Sequence, residues 1–262
     1  MSNWLYLALD VGSAFIPFLF SFHPRLRFDK QFRFAFPAIA IVALLFIAWD
    51  FAKTALGVWG FNDDYLLGFY VYNLPVEELL FFVCIPFACL FTYHCFGVLL
   101  PLVFCHSERS EESVDSTDRS FTAFRMTKGA SASKVFSLLL IIGLVTVAML
   151  NLDKLYTTTT FFSLALLTAL LQFVFRVEWL GQFYFSFVVL LIPFFIVNGI
   201  LTGTGIPEQV VWYNDNENLG IRMLTIPVED TFYGMLLQMT NVALFEWLRR
   251  RYAVEKNSGI PV

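Results

Sequence analysis

The sequence predicts an all-α integral membrane protein of about seven transmembrane helices, built from two repeated halves. Three observations carry this prediction. Of the 262 residues 58% are hydrophobic and only 15% charged, and the mean hydropathy is +0.69, whereas soluble domains carry roughly 25% charged residues. Seven apolar stretches approach the ~20 residues that a bilayer core demands of a helix. An acidic segment at residue 62 recurs 152 positions later. Apolarity is continuous within each stretch and does not alternate every second residue, so the spans are helices and not barrel strands.

The seven spans read as Trp4–Phe22, Phe34–Phe51, Val76–Phe104, Val135–Leu150, Thr160–Phe175, Phe183–Leu201 and Pro227–Leu248. The first has no basic leader and carries Asp10, so it is expected to be a span and not a cleaved signal peptide. Fourteen of the 17 Lys and Arg fall after the first, third and fifth spans or in the C-terminal tail; Lys53, Lys154 and Arg222 are the exceptions. Positive charge concentrates on the cytoplasmic side, which predicts an N-terminus outside and a C-terminus in the cytoplasm. The expected organisation is a first half at 1–104 with three spans, a polar cytoplasmic linker at 105–134, a second half at 135–250 with four spans, and a tail at 251–262. The linker is charged, rich in serine and without helical periodicity, so it is expected to be disordered.

Composition excludes several classes. Four cysteines in a chain this long do not make a secreted disulfide scaffold. A net charge of −4 gives phosphate no attracting field, so no nucleic-acid partner is expected. Cys84, Cys89, Cys95 and Cys105, with His94 and His106 near them, show neither CxxC nor HxxxH spacing; they read as packed thiols, and no metal is expected. Gly203-Thr204-Gly205 lacks the third glycine of a dinucleotide loop, so no nucleotide cofactor is expected either.

The repeat carries the chemistry. Asn62-Asp63-Asp64-Tyr65-Leu66-Leu67-Gly68 followed by Leu74-Pro75-Val76-Glu77-Glu78 matches Asn214-Asp215-Asn216-Glu217-Asn218-Leu219-Gly220 followed by Ile226-Pro227-Val228-Glu229-Asp230. Proline suits the first turn of a helix, and the acids after it meet the positive end of the helix dipole. Simple helix-start chemistry would account for that much. Ionisable groups at the edge of the hydrocarbon are costly, however, and mark functional sites. Glu77, Glu78, Glu229 and Asp230 are therefore the candidate acids and bases, joined by Asp50 at the end of the second span. Of each pair the first, Glu77 and Glu229, is expected to matter more, because it is identical in the two copies. Trp59, Phe61, Tyr65, Phe81, Trp212 and Tyr213 lie nearby as candidate substrate-lining aromatics; an interfacial aromatic belt is the alternative for each. Asp10, His94, Asn198 and Glu246 are further polar groups within or at the ends of spans.

The run Trp49-Asp50, Gly57-Val58-Trp59-Gly60-Phe61-Asn62, Gly68 and Leu74-Pro75-Val76-Glu77-Glu78-Leu79-Leu80-Phe81-Phe82 resembles the first half of the integral-membrane lycopene cyclases: the heterodimeric bacterial type, the archaeal fused type and the cyclase part of bifunctional fungal enzymes. Pro227-Val228-Glu229-Asp230 resembles the matching second half, which makes this chain similar to a fusion of both half-subunits. The resemblance implies a lycopene β-cyclase-type isomerase of carotenoid biosynthesis, an intramolecular lyase without cofactor. It would act on the acyclic end of lycopene to give γ- or β-carotene. It also implies a bacterial inner-membrane location, with membrane lipids, other carotenoid-pathway enzymes or a second copy as partners. Two departures stand out. His94 takes the place of an inner glutamate for which the second half has Glu246, and the 105–134 insertion replaces a short link. A carotenoid hydratase, an intramembrane prenyltransferase with Asn62-Asp63-Asp64 on Mg²⁺, and a proton-coupled transporter are the rival readings.

Overall fold

The computed structural model describes residues 3–100 and 116–258. Seven α-helices stand among them: α1 Leu5–Phe20, α2 Phe32–Ala55, α3 Val76–Leu99, α4 Ser116–Leu150, α5 Leu155–Ala169 extended by a π turn at Leu170–Val174, α6 Leu180–Leu201 and α7 Val228–Ser258. Five have the length and apolarity to cross a bilayer. α1 is apolar but only 16 residues long. α7 is long but carries Glu229, Asp230, Gln238, Asn241 and Glu246, and most of these turn inward, where they are buried.

Differences from the sequence expectation have local causes. α5 starts at Leu155, ahead of the expected Thr160, because the hydroxyls of Thr157, Thr158 and Thr159 are each satisfied. They donate to Glu229 Oε1 at 2.6 Å, Asn151 O at 2.6 Å and Leu155 O at 2.5 Å. A threonine with such a partner no longer competes with the helix backbone. α3 stops at Leu99, short of Phe104. α4 begins at Ser116, inside the segment read as an aperiodic linker, because extending an existing helix costs far less than starting one. Residues 101 to 115, which hold the end of the expected third span at Phe104 and the start of the linker with Cys105 and His106, and the tail beyond 258 lie outside the described residues.

The halves are α1–α2–α3 and α5–α6–α7. A half with three spans ends on the opposite side from where it began, so a second half in the same orientation needs one extra crossing, and α4 supplies it. α4 packs mainly along α5 at the edge of the bundle. The common orientation is visible in the sheet that joins the halves. β1 (Trp59–Phe61) pairs antiparallel with β4 (Val211–Tyr213), with Gly60 opposite Trp212. Those two are 152 positions apart, so a pseudo-two-fold axis passes between them. A Cβ on Gly60 would stand 2.4 Å from the Trp212 ring, so any larger residue there would displace that ring. Each half adds a small hairpin, β2 (Tyr70–Val71) with β3 (Leu74–Pro75) and β5 (Arg222–Met223) with β6 (Ile226–Pro227). The hairpins place both acidic pairs at the same end of the bundle. Below them α2, α3, α5 and α7 close on an aromatic core that includes Phe46, Phe82, Phe161 and Phe245.

Candidate active site

Each acidic pair sits on the first turn of a helix, directly after the proline that ends a hairpin. Neighbouring helical side chains point about 100° apart, so the members of a pair have different surroundings. Glu77 is fully buried and its Oε1 accepts the Leu67 N–H at 2.7 Å. Glu229 repeats this with the Leu219 N–H at 2.7 Å and adds the Thr157 hydroxyl. These first-position carboxylates pin the acidic turn to the helix start. Hydrogen bonds to a charged acceptor contribute about 1.5–3 kcal/mol each.

The second-position acids face a cavity instead. Glu78 of α3 and Asp230 of α7, one from each half, line it together with Asp50 of α2. Glu78 accepts the Tyr6 hydroxyl. Asp230 accepts the Tyr156 hydroxyl on Oδ1 at 2.6 Å and the Tyr213 hydroxyl on Oδ2 at 2.8 Å. Asp50 Oδ1 accepts Trp59 Nε1–H at 2.6 Å, and its Oδ2 is buried without a hydrogen-bond partner. The three carboxyls lie within reach of one another's charge: Glu78 acts on Asp50, and Asp230 on Glu78. Burial, reinforced by Asp230, holds the Tyr213 phenol well above its ordinary range, so at neutral pH it is a hydrogen-bond donor.

Trp59, Tyr156, Tyr213 and Tyr233 surround the acids and contact one another edge-on or stacked, with ring centroids 5.0–6.3 Å apart. From this aromatic roof an apolar stem descends between α3, α6 and α7, past Phe81, Ile85 and Ala88 to Cys89, and past Val197, Phe194 and Leu190 to Phe187. Cys89 is eleven residues on from Glu78, roughly 16 Å at the helical rise. Pro193 of α6 lines the stem and is itself exposed.

The structure thus gathers Asp50, Glu78, Asp230, Trp59, Phe61, Phe81 and Tyr213 of the expected residues. It leaves the others out of the cavity. Glu77 and Glu229 hold the turns, so the member of each pair that faces the cavity is the second and not the first. Tyr65 is buried behind the lining, in a cluster with Tyr6, Leu66 and Val210, and Trp212 lies over Gly60, 44% exposed. Asp10 is fully buried beside the cavity, and neither of its oxygens has a hydrogen-bond partner. His94 meets Leu26 O at 2.8 Å, and Glu246 takes the Tyr93 hydroxyl at 3.0 Å and Arg249 at 3.1 Å. These contacts tie the helices together at the far end. Among the described residues no three His, Cys, Asp or Glu side chains are grouped to hold a metal ion.

Tyr6, Tyr156, Tyr233 and the α6 wall were not anticipated. One signal for the first two was present: Tyr6 and Tyr156 are 150 positions apart, at the same place in the first helix of each half, and each serves the second-position acid of its own half.

The model of one known family, lycopene cyclase, matches residues 3–96 and 153–248. The chain belongs to the lycopene cyclase family. The matched segments are α1–α3 and α5–α7, the two halves that share the acidic turn, with α4 and the linker between them. No curated protein and no solved structure matches the chain. Membership of the lycopene cyclase family, with the five long apolar helices, makes this a multi-pass membrane enzyme of carotenoid cyclisation whose substrate is lipophilic.

Proposed function

We propose that the protein cyclises the acyclic end of lycopene to a β-ring by acid–base catalysis. One observation carries the reading: Glu78 and Asp230, one acid from each half, meet under tyrosine donors at the closed end of a long apolar stem. The reaction is an isomerisation. A proton adds at C2 and leaves a cation at C1; the C5=C6 double bond attacks C1 and moves the cation to C5; loss of the C6 proton re-forms the double bond inside the ring. Glu78 occupies only one oxygen with Tyr6, so its other oxygen is available to deliver the proton. Two buried carboxyls side by side share a proton in preference to both ionising, and Asp50 is the partner that keeps this proton beside the substrate. Asp230, with a tyrosine O–H on each oxygen to support negative charge, is the base that takes the C6 proton. The net proton count is zero, so transfer from Asp230 back to Glu78 resets the site. The faces of Trp59, Tyr213 and Tyr233 stabilise the passing cation.

Expression in lycopene-accumulating bacteria, followed by pigment identification, tests this. Monocyclic or bicyclic β-ring carotenes are expected; unchanged lycopene, or acyclic alcohols formed by water capture, would overturn it. We further place the acidic end on the outer face of a bacterial cell membrane, as the charge asymmetry of the loops implies. A cysteine at position 215 should then label from outside intact cells; labelling only after lysis would reverse the orientation.

A further inference from the structure

The pseudo-two-fold axis that relates Glu78 to Asp230 also relates Phe82 to Gly234, each four residues further along its helix. The two positions have opposite surroundings. Phe82 is 1% exposed and its ring meets Phe46 of α2, with centroids 6.3 Å apart. Gly234 lines the stem, and the ring that faces it is Phe194 of α6. The exchange of a ring for a hydrogen shows in the helices: α2 packs tightly on α3, whereas α6 stands away from α7. The space between α2 and α3 is filled core; the corresponding space between α6 and α7 is the stem.

We propose that Gly234 makes the substrate stem, and that Phe82 plugs the symmetry-related one. The protein then has a single chain-shaped site for one end of a linear, acyclic apolar polyene. A molecule with two reactive ends must leave and return turned around. The proposal rests on reading the cavity as the carotenoid site. It is sharpened by the local geometry, because a Cβ at Gly234 would lie 3.5 Å from the Phe194 ring, an ordinary contact. One methyl group fits there; a larger side chain has only the stem to grow into.

The test is a size series, Gly234→Ala, Gly234→Leu and Gly234→Phe, with lycopene binding by purified protein in detergent followed through quenching of tryptophan fluorescence. Gly234→Ala should bind within a few-fold of wild type, whereas Gly234→Leu and Gly234→Phe should bind at least about tenfold more weakly, the scale on which a pocket rejects excess apolar bulk. The double variant Gly234→Leu/Phe194→Ala should regain affinity, a recovery that general misfolding would not give. Gly234→Phe protein that elutes as wild type and binds lycopene equally well would overturn the inference, as would a Gly234→Leu loss that Phe194→Ala leaves untouched. Wild-type protein that binds lycopene but leaves it acyclic would overturn the proposed chemistry while the stem stands.

Discussion

The first and second halves hold their acidic turns by the same bonds and use the space beneath them in opposite ways. Glu77 takes the Leu67 N–H and Glu229 the Leu219 N–H, both at 2.7 Å. Val76 N–H donates to Phe69 O at 2.9 Å and Val228 N–H to Ile221 O at 3.0 Å. The turns even share their backbone exceptions, with Tyr72 at φ 59° and Leu224 at φ 58°. One turn below, the likeness ends at Phe82 and Gly234. α2 runs to within a few residues of β1 and brings Asp50 to the acids, whereas α6 stops at Leu201, ten residues before β4 starts. Of each acidic pair, the member that is identical in the two halves holds the turn, and the member that differs, Glu78 or Asp230, faces the cavity. Identity between the two repeats is in these pairs a guide to turn geometry.

The largest effect is expected from neutralising the second acid of each pair. Glu78→Gln and Asp230→Asn should each lower cyclisation by at least about 10²-fold, the lower range for general acid–base groups, with normal amounts of membrane protein. Pigment composition in a lycopene background, normalised to protein, measures this. Full activity in both would return the chemistry to Glu77 and Glu229.

How far the site was legible follows from the same residues. The acidic turn announces itself because proline, glycine and acids at fixed spacing are local signals, and the seven apolar stretches are equally local. Which carboxylate of each pair faces the cavity is not local. It depends on Leu67 and Leu219, ten residues upstream, being folded back by the hairpins to offer their N–H groups. Tyr6 and Tyr156 are single aromatics at helix starts, and they acquire meaning only when α1 and α5 dock beside the acids. Gly234 reads in sequence as one more small residue in a membrane helix; only the fold shows that it faces Phe194 where the other half has a ring. The expected linker fared differently again, because its polar sequence hides a helix that α4 extends from the span beside it.

A second test strikes the seam between the halves. Gly60→Ala sets a methyl group where the Trp212 ring lies, so the ring or the β1–β4 pairing must shift. Overpacking of this kind costs about 1–3 kcal/mol. A lower thermal midpoint in detergent is expected, with recovery in the double variant Gly60→Ala/Trp212→Ala. Absence of that recovery would mean that the seam does not rest on this contact.

Smaller still is the effect of the turn-holding acids. Glu77→Gln keeps an oxygen that accepts the Leu67 N–H but removes its charge, which lowers the bond from the charged to the neutral class, a loss of about 1 kcal/mol. Glu229→Gln should lose a similar amount. Both variants should melt earlier than wild type yet retain, per folded molecule, most of the cyclisation that Glu78→Gln abolishes. A loss of activity as deep as that of Glu78→Gln, with an unchanged melting point, would show that the two positions share the chemistry.

The smallest effect lies on the surface, where the halves secure the same corner with different chemistry. Tyr70 donates its hydroxyl to Asp63 in the first half; in the second, Arg222 Nη2 meets Asp215 Oδ1 at 2.6 Å, and each residue is 152 positions from its counterpart. Slight burial pushes the Asp215 carboxyl upward, but the hydrogen bonds from Arg222 and Asn218 outweigh it and hold the group below the usual carboxylate range. A carboxyl depressed in the folded state contributes stability that is fully present above its unfolded value, about 3.9, and is lost as pH falls through the folded value. The Asp215 side chain is 61% exposed, so water and salt screen the pair, and its worth is about 0.2–1 kcal/mol. Asp215→Asn should therefore lower the melting point slightly at pH 7, less in high salt, and not at all near pH 2. Tyr70→Phe removes a bond with no cation in it, so its effect should be the same at low and high salt. An Asp215→Asn deficit that persists unchanged into acid would mean that the corner is held by side-chain shape and not by the ion pair.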